Sequence, residues 1–201
     1  MDPNCPPINE ENFKSHDWID FYGDVQEDIL VNAPDTRGKE IVIRMKVGSD
    51  HAGDEVDRRS CTVFMIYVKM VLIAWLSNKK ATAEKSVFGS DFFAMTHGVE
   101  TLRELCYNIC MMGVPIDGPT YILGDNMSVI FNTSIPGSQL INKSNNICYH
   151  AVLEAVTMGK CMTTHIHTLL NFLDLLTKVV YGSKSRRRVN GIFYFFINMI
   201  E

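Results

Sequence analysis

The stretch from Phe88 to Met112 constrains the fold of this chain more than any other. Phe92, Met95, Val99, Leu102, Leu105 and Ile109 recur there at helical spacing, and Gly113-Val-Pro-Ile-Asp-Gly-Pro119 stops the helix with strong breakers. Strand-like runs lie on both sides of it. Upstream, Ile41-Val-Ile-Arg-Met-Lys-Val47 alternates and is rich in β-branched residues, and Cys61 to Val68 with Val71 to Leu76 reads as a hairpin. Downstream come a short buried strand, Thr120-Tyr-Ile-Leu123, and a short helix capped by Asp125-Asn126 and running to about Phe131. A helix from Asn145 to Met158, a strand from Lys160 to His167 and a helix from Leu170 to Tyr181 complete the pattern. The order predicts an α/β domain: a mixed sheet of about five strands flanked by helices, antiparallel at first and parallel after the long helix.

Residues 1–38 read differently. Pro3, Pro6, Pro7 and Pro34 break helices, acids abound, and apolar positions lack a period, so this segment is expected to be a connector arm and 39–201 the domain. Hydrophobic residues make up 46% of the chain and charged residues 21%, which supports a packed core and excludes wholesale disorder. With 19 basic against 23 acidic residues the net charge is −4, so any nucleic-acid surface must be local.

The six cysteines are scattered and read as reduced thiols of an intracellular protein. Cys106 and Cys110 with His165 and His167 imitate a zinc set, but no second closely spaced pair gives it zinc-finger geometry, and small apolar helix residues explain the cysteines better. The apolar stretch Cys61 to Ser77 is interrupted by Lys69 and reads as a hairpin rather than a membrane span; the tail Ile192 to Ile200 is too short to cross a bilayer.

Four carboxylates occupy informative places. Asp50 falls within or just after the first strand, Asp91 on the first turn of the long helix, Asp125 at the end of the fourth strand, and Asp174 in the last helix. Ligand sites of α/β sheets lie at the carboxyl ends of parallel strands. Convergent carboxylates there suit Mg²⁺, which takes oxygen ligands, and two such ions can clamp the attacking and leaving oxygens of a phosphodiester. Plainer readings stand beside this one: Asp125 as a helix cap, Asp91 as an acid favoured by the helix dipole, Asp50 and Asp174 as solvated acids.

Six runs, in order, carry a resemblance: Val47-Gly-Ser-Asp-His-Ala-Gly-Asp54, Arg58-Arg-Ser60, Ser86-Val-Phe-Gly-Ser-Asp-Phe-Phe-Ala94, Gly124-Asp-Asn-Met-Ser-Val129, Ile147-Cys-Tyr-His150 and Asn171-Phe-Leu-Asp-Leu-Leu-Thr-Lys178. They resemble the landmarks of ribonuclease H domains at the C-terminal end of copia-type retrotransposon polyproteins, and the leader His16 to Asp24 looks like the connector that follows the polymerase. No polymerase Tyr-x-Asp-Asp signature is present. The resemblance implies that Asp50, Asp91, Asp125 and Asp174 hold Mg²⁺, or Mn²⁺, and that the reaction is hydrolysis of the RNA strand of an RNA–DNA hybrid. It also implies a reverse transcriptase domain of the same polyprotein as partner. Asn126, Ser128, His150, Lys178, Arg186, Arg187 and Arg188 are the candidate nucleic-acid contacts, and Lys184 to Arg188 also reads as a nuclear import patch, so the expected location is the cytoplasm with access to the nucleus.

The sequence departs from the family pattern at several positions. Asp91 replaces a glutamate, one methylene shorter. Val63 stands at a usual glycine. Leu169, Leu170, Phe172 and Leu173 make the loop before Asp174 apolar. Two further functions therefore stand beside the nuclease: a degenerate, inactive remnant that binds at most, and a membrane-associated protein using the aromatic tail.

Overall fold

The computed structural model describes residues 34–53, 56–81, 85–135, 146–177 and 189. The side chains of Leu169 and Asp174 lie outside that description, as do residues 1–33 of the expected connector, Lys178, Arg186, Arg187, Arg188 and the aromatic tail.

The domain is one five-stranded sheet with helices against it. The strands are β1 (Ile43–Asp50), β2 (Cys61–Val68), β3 (Val71–Lys79), β4 (Thr120–Gly124) and β5 (Cys161–His165), in spatial order β3-β2-β1-β4-β5. Pairing is antiparallel for β1 with β2 and β2 with β3, and parallel for β1 with β4 and β4 with β5. Helix α1 (Val87–Met111) connects the antiparallel half to the parallel half. Helices α2 (Met127–Ser134) and α3 (Asn146–Thr157) link β4 to β5, and a 3₁₀ turn (Thr168–Leu170) and α4 (Asp174–Thr177) follow.

The apolar period of α1 does what its spacing implies: Phe92, Met95, Val99, Leu102 and Ile109 are buried. They meet Ile43, Met45 and Val47 of β1 and Phe64 and Ile66 of β2, with Tyr149, Val152 and Leu153 of α3 closing the layer. Gly98 lets α1 come close, because a Cβ there would stand 2.9 Å from the Met45 Cε. On the opposite sheet face a smaller cluster joins Val63 and Met65 to Leu173. Helix α1 starts from Ser86, whose hydroxyl accepts the Gly89 N–H at 3.1 Å.

Thr62 is 2% exposed and faces the α1 side, yet its hydroxyl has no hydrogen-bond partner among the described residues. A buried orphan hydroxyl costs about 1–3 kcal/mol. Thr62→Val is expected to raise stability by about 1 kcal/mol, read from the midpoint of chemical denaturation.

Several expectations are corrected. Helix α1 begins at Val87, so Asp91, its fifth residue, sits on the second turn; the first turn holds no acid, and the dipole reading of Asp91 loses its footing. The long closing helix from Leu170 begins instead as the 3₁₀ turn and α4. The Asn171 carboxamide accepts the Leu173 N–H at 3.3 Å, a local turn that competes with a continuous helix. Strand β5 ends at His165, opposite the last residue of β4, so His167 is not on the strand. The first strand starts at Ile43; Ile41 makes only an isolated bridge to Ile116. Its pairing with β2 carries β1 on through Asp50, where Asp50 faces Cys61.

Candidate metal and nucleic-acid site

The site lies at the carboxyl ends of two adjacent parallel strands. β1 ends in Ser49-Asp50, and β4 ends at Gly124, directly before Asp125-Asn126. Asp91 reaches this edge from α1. One carboxylate oxygen, Oδ1, accepts both the Ser49 N–H at 3.0 Å and the Ser49 hydroxyl at 2.7 Å; Oδ2 accepts the Asn126 Nδ2–H at 2.9 Å. A carboxylate offers about four lone-pair sites, two on each oxygen. Oδ1 is therefore full, and Oδ2 has one site left.

Asn126 does two jobs. Its side-chain oxygen caps α2, accepting from the Ser128 and Val129 N–H groups, while its amide nitrogen holds Asp91. Because Asn126 is the cap, Asp125 is not, which overturns the capping reading of Asp125. Asp91, Asp125 and Asn126 line one small cleft with Val47, Met95, Gly124, Val129 and Ile130.

Asp50 arrives from the other side of β1. Ser49 turns toward α1, and strand alternation sends its neighbour the opposite way. The Asp50 carboxylate lies against the backbone of Gly53: a Cβ there would stand 2.8 Å from Oδ1 and closer still to Cγ and Oδ2. Asp174 opens α4, but where its carboxylate goes lies outside the described residues. Ser128 is exposed on α2 and His150 is exposed on α3, its ring edge-on to Tyr149; neither lines the cleft. Ser49, beside Asp50 in the Val47–Asp54 run, holds Asp91, and its alternation with Asp50 along β1 is the sequence signal for that role.

Two departures from the pattern the sequence resembles meet in space. Val63 and Leu173 are packed together, 0% and 2% exposed, so the branched side chain at the usual glycine is covered by the apolar loop. The tight approach falls instead on Gly48, opposite Val63, where a Cβ would be 3.3 Å from Leu173 Cδ1. Lys46 pins the same loop, donating to the Leu170 carbonyl at 3.1 Å with its ammonium 4.4 Å from the Phe172 ring centre.

Burial raises the Asp91 carboxyl above its ordinary 3.8; bonds from Asn126 and Ser49 pull it back, and the negative charge of Asp125 pushes it up again. Two carboxylates that repel each other in a cleft suit a divalent cation, since Mg²⁺ is commonly held by one or two carboxylates with water or phosphate oxygens completing its shell. The pair fits such an ion, with Asp91 offering one oxygen. Among the described residues no group of three or more His, Cys, Asp or Glu side chains is placed to hold one ion.

No protein-family model matches the chain. Over 142 residues, 71% of the chain, the sequence is 22% identical to the retrovirus-related Pol polyproteins from transposons RE2 and RE1 of Arabidopsis thaliana. The chain spans 10% of the length of those relatives. The N-terminal ribonuclease H domain of a Mycobacterium tuberculosis protein superposes with a TM-score of 0.53 at 8% identity, over 75% of this chain and 98% of that one. Ribonuclease H1 of Halobacterium salinarum gives 0.51 at 9% identity, over 67% and 93%. LC11 ribonuclease H1, solved with an RNA/DNA hybrid, gives 0.50 at 9% identity, over 64% and 88%. The sequence is similar to copia-type Pol polyproteins, and the sheet has the ribonuclease H fold.

Proposed function

We propose, from the ribonuclease H fold and the likeness to retrotransposon Pol polyproteins, that this domain hydrolyses the RNA strand of RNA–DNA hybrids during reverse transcription. The observation that carries the reading is the Asp91–Asp125 pair in one cleft at the carboxyl ends of β1 and β4. Asp91 and Asp125, with Asp50 and Asp174, would hold Mg²⁺ or Mn²⁺. Such ions supply activation of the attacking water and neutralisation of the leaving 3′ oxygen. Ser49 and Asn126 fix the Asp91 carboxylate in place by three hydrogen bonds. Selection of RNA over DNA would rest on the 2′-hydroxyl. A reverse transcriptase domain of the same polyprotein is the proposed protein partner, and Asn126, Ser128, His150, Lys178 and Arg186 to Arg188 are proposed contacts to the hybrid. The proposed location is intracellular. Among the described residues no helix is long and apolar enough to cross a membrane.

The same three bonds favour a second reading. An acid already saturated on one oxygen resembles a structural tie as much as a ligand, which is what a remnant that binds hybrid without cutting it would carry. Incubation of the full chain with labelled RNA–DNA hybrid and Mg²⁺ separates the two. Cleavage confined to the RNA strand, and abolished by a chelator, supports the nuclease. Binding of the hybrid with no cleavage in either Mg²⁺ or Mn²⁺ establishes the remnant.

A further inference from the structure

Beneath the start of α1 lies a second polar cluster, separate from the cleft. Ser60 and Ser90 are both 0% exposed, and their hydroxyl oxygens are 3.0 Å apart. Ser60 Oγ accepts the Ala52 N–H at 3.2 Å, and Ser90 Oγ lies 3.0 Å from His51 Nδ1. Lys80, 5% exposed, ties the end of β3 to the same two residues: its N–H donates to the Ser60 carbonyl at 2.8 Å and its ammonium to the Ser90 carbonyl at 2.7 Å.

We infer that Ser60 and Ser90 are positioning residues: the chain Ala52–Ser60–Ser90–His51 clamps the turn that follows Asp50 onto the helix that carries Asp91. One assignment of the hydroxyl protons satisfies every donor in this chain. In it the Ala52 N–H donates to Ser60, the Ser60 hydroxyl to Ser90, and the Ser90 hydroxyl to His51 Nδ1, whose proton then sits on Nε2. In that order each proton has an acceptor. Reversed, Ser60 would receive two donors and its own buried proton would lack one among these groups, at a cost. The clamp also has strain to hold. Ala52 adopts φ +53°, a left-handed conformation that a residue with a Cβ disfavours. Without the clamp, the turn 51–53 is expected to relax and the Asp50 carboxylate to lose its seat on Gly53. Asp50 ends β1 and Asp91 reaches that end from α1, so their spacing depends on this loop and helix staying in register.

The role assigned to the two serines rests on the nuclease reading, and the test separates them. Amide exchange at Ala52 is followed by NMR in the full chain, with Leu123 in β4 as reference for global opening. Ser60→Ala and Ser90→Ala should each speed Ala52 exchange by about tenfold, since each removes a buried bond of the chain, with Leu123 reporting the accompanying loss of global stability. Both should also weaken Mn²⁺ binding by about tenfold, measured from the free-ion electron paramagnetic resonance signal, as loss of a supporting contact commonly does. Thr62→Val, which removes a buried hydroxyl two residues from Ser60 but outside the chain, should neither speed Ala52 exchange nor weaken Mn²⁺ binding. Unchanged Ala52 exchange in both serine variants overturns the clamp. Equal loss of Mn²⁺ binding in Thr62→Val overturns its positioning role. A wild type that binds no Mn²⁺ and cuts no hybrid, with the exchange effects intact, removes the nuclease reading and leaves the clamp standing.

Discussion

Gly53→Ala is expected to lower hybrid cleavage by about 10²–10³-fold, the usual loss when one positioned group of a site is displaced, while changing stability by less than about 1 kcal/mol. The two effects part because of where the new methyl goes. Gly53 is exposed and does not use a left-handed φ, so its backbone accepts alanine. The Cβ, however, would overlap the Asp50 carboxylate, reaching 2.8 Å from Oδ1 and closer to Oδ2. The short Asp50 side chain must leave its rotamer to escape. Gly118→Ala supplies the mirror case. Gly118 has φ +67° and open space around its missing Cβ. Alanine there should cost about 1 kcal/mol in stability and leave cleavage alone. Equal activity in Gly53→Ala and wild type, measured at saturating Mg²⁺, would show that Asp50 takes no part.

Asp91→Glu is expected to lower the Mg²⁺ concentration for half-maximal cleavage by about tenfold, because the longer arm brings a carboxylate past its present donors toward the cleft. The helix cannot advance in its place, since Phe92, Met95 and Val99 are buried in the core. The gain has a cost: bonds from Ser49 and Asn126 to a charged acceptor contribute about 1.5–3 kcal/mol each, and the glutamate gives up at least one. Higher activity with lower stability is the expected outcome. Unchanged Mg²⁺ dependence would show that Asp91 does not limit the site. Acid dependence offers a second check. Burial and Asp125 raise the Asp91 carboxyl above its ordinary 3.8, so the folded protein holds this proton more tightly than the unfolded chain does. Ionised Asp91 therefore costs stability above its folded-state value, and that cost is relieved as pH falls from there toward 3.8. Against Asp91→Asn, the wild type should gain relative stability over that window. Cleavage, which needs the ionised form, should rise through the same window as pH increases. Asp125→Asn, by removing the repelling charge, should shift the acid limb of Asp91 titration downward, followed by carboxyl NMR.

Much of the element order was legible because strands and helices announce themselves over a few neighbouring residues. The period of Phe92, Met95 and Val99, the stop at Gly113 to Pro119 and the alternation before Asp50 are local signals, and the elements they mark are present with ends shifted by a few residues. The placement of Asp50 and Asp125 at strand ends was legible for the same reason. Boundaries failed where distant partners decided them: β3 runs to Lys79 because Cys61 pairs with it, and β5 stops where β4 runs out.

The sequence by itself determined which elements form, their order, and that acids stand at strand ends and on the long helix. Only the tertiary structure decided what each acid meets. Asp91 is bound by Ser49, 42 positions away, and by Asn126, 35 positions away. Val63 is covered by Leu173, and Ser60 joins Ser90 across 30 positions. Periodicity records a residue's relation to its own helix or strand, whereas these bonds depend on how β1 is seated between β2 and β4 and on the depth at which α1 crosses it. That seating is a sum of many side-chain contacts, and no single spacing in the chain encodes it.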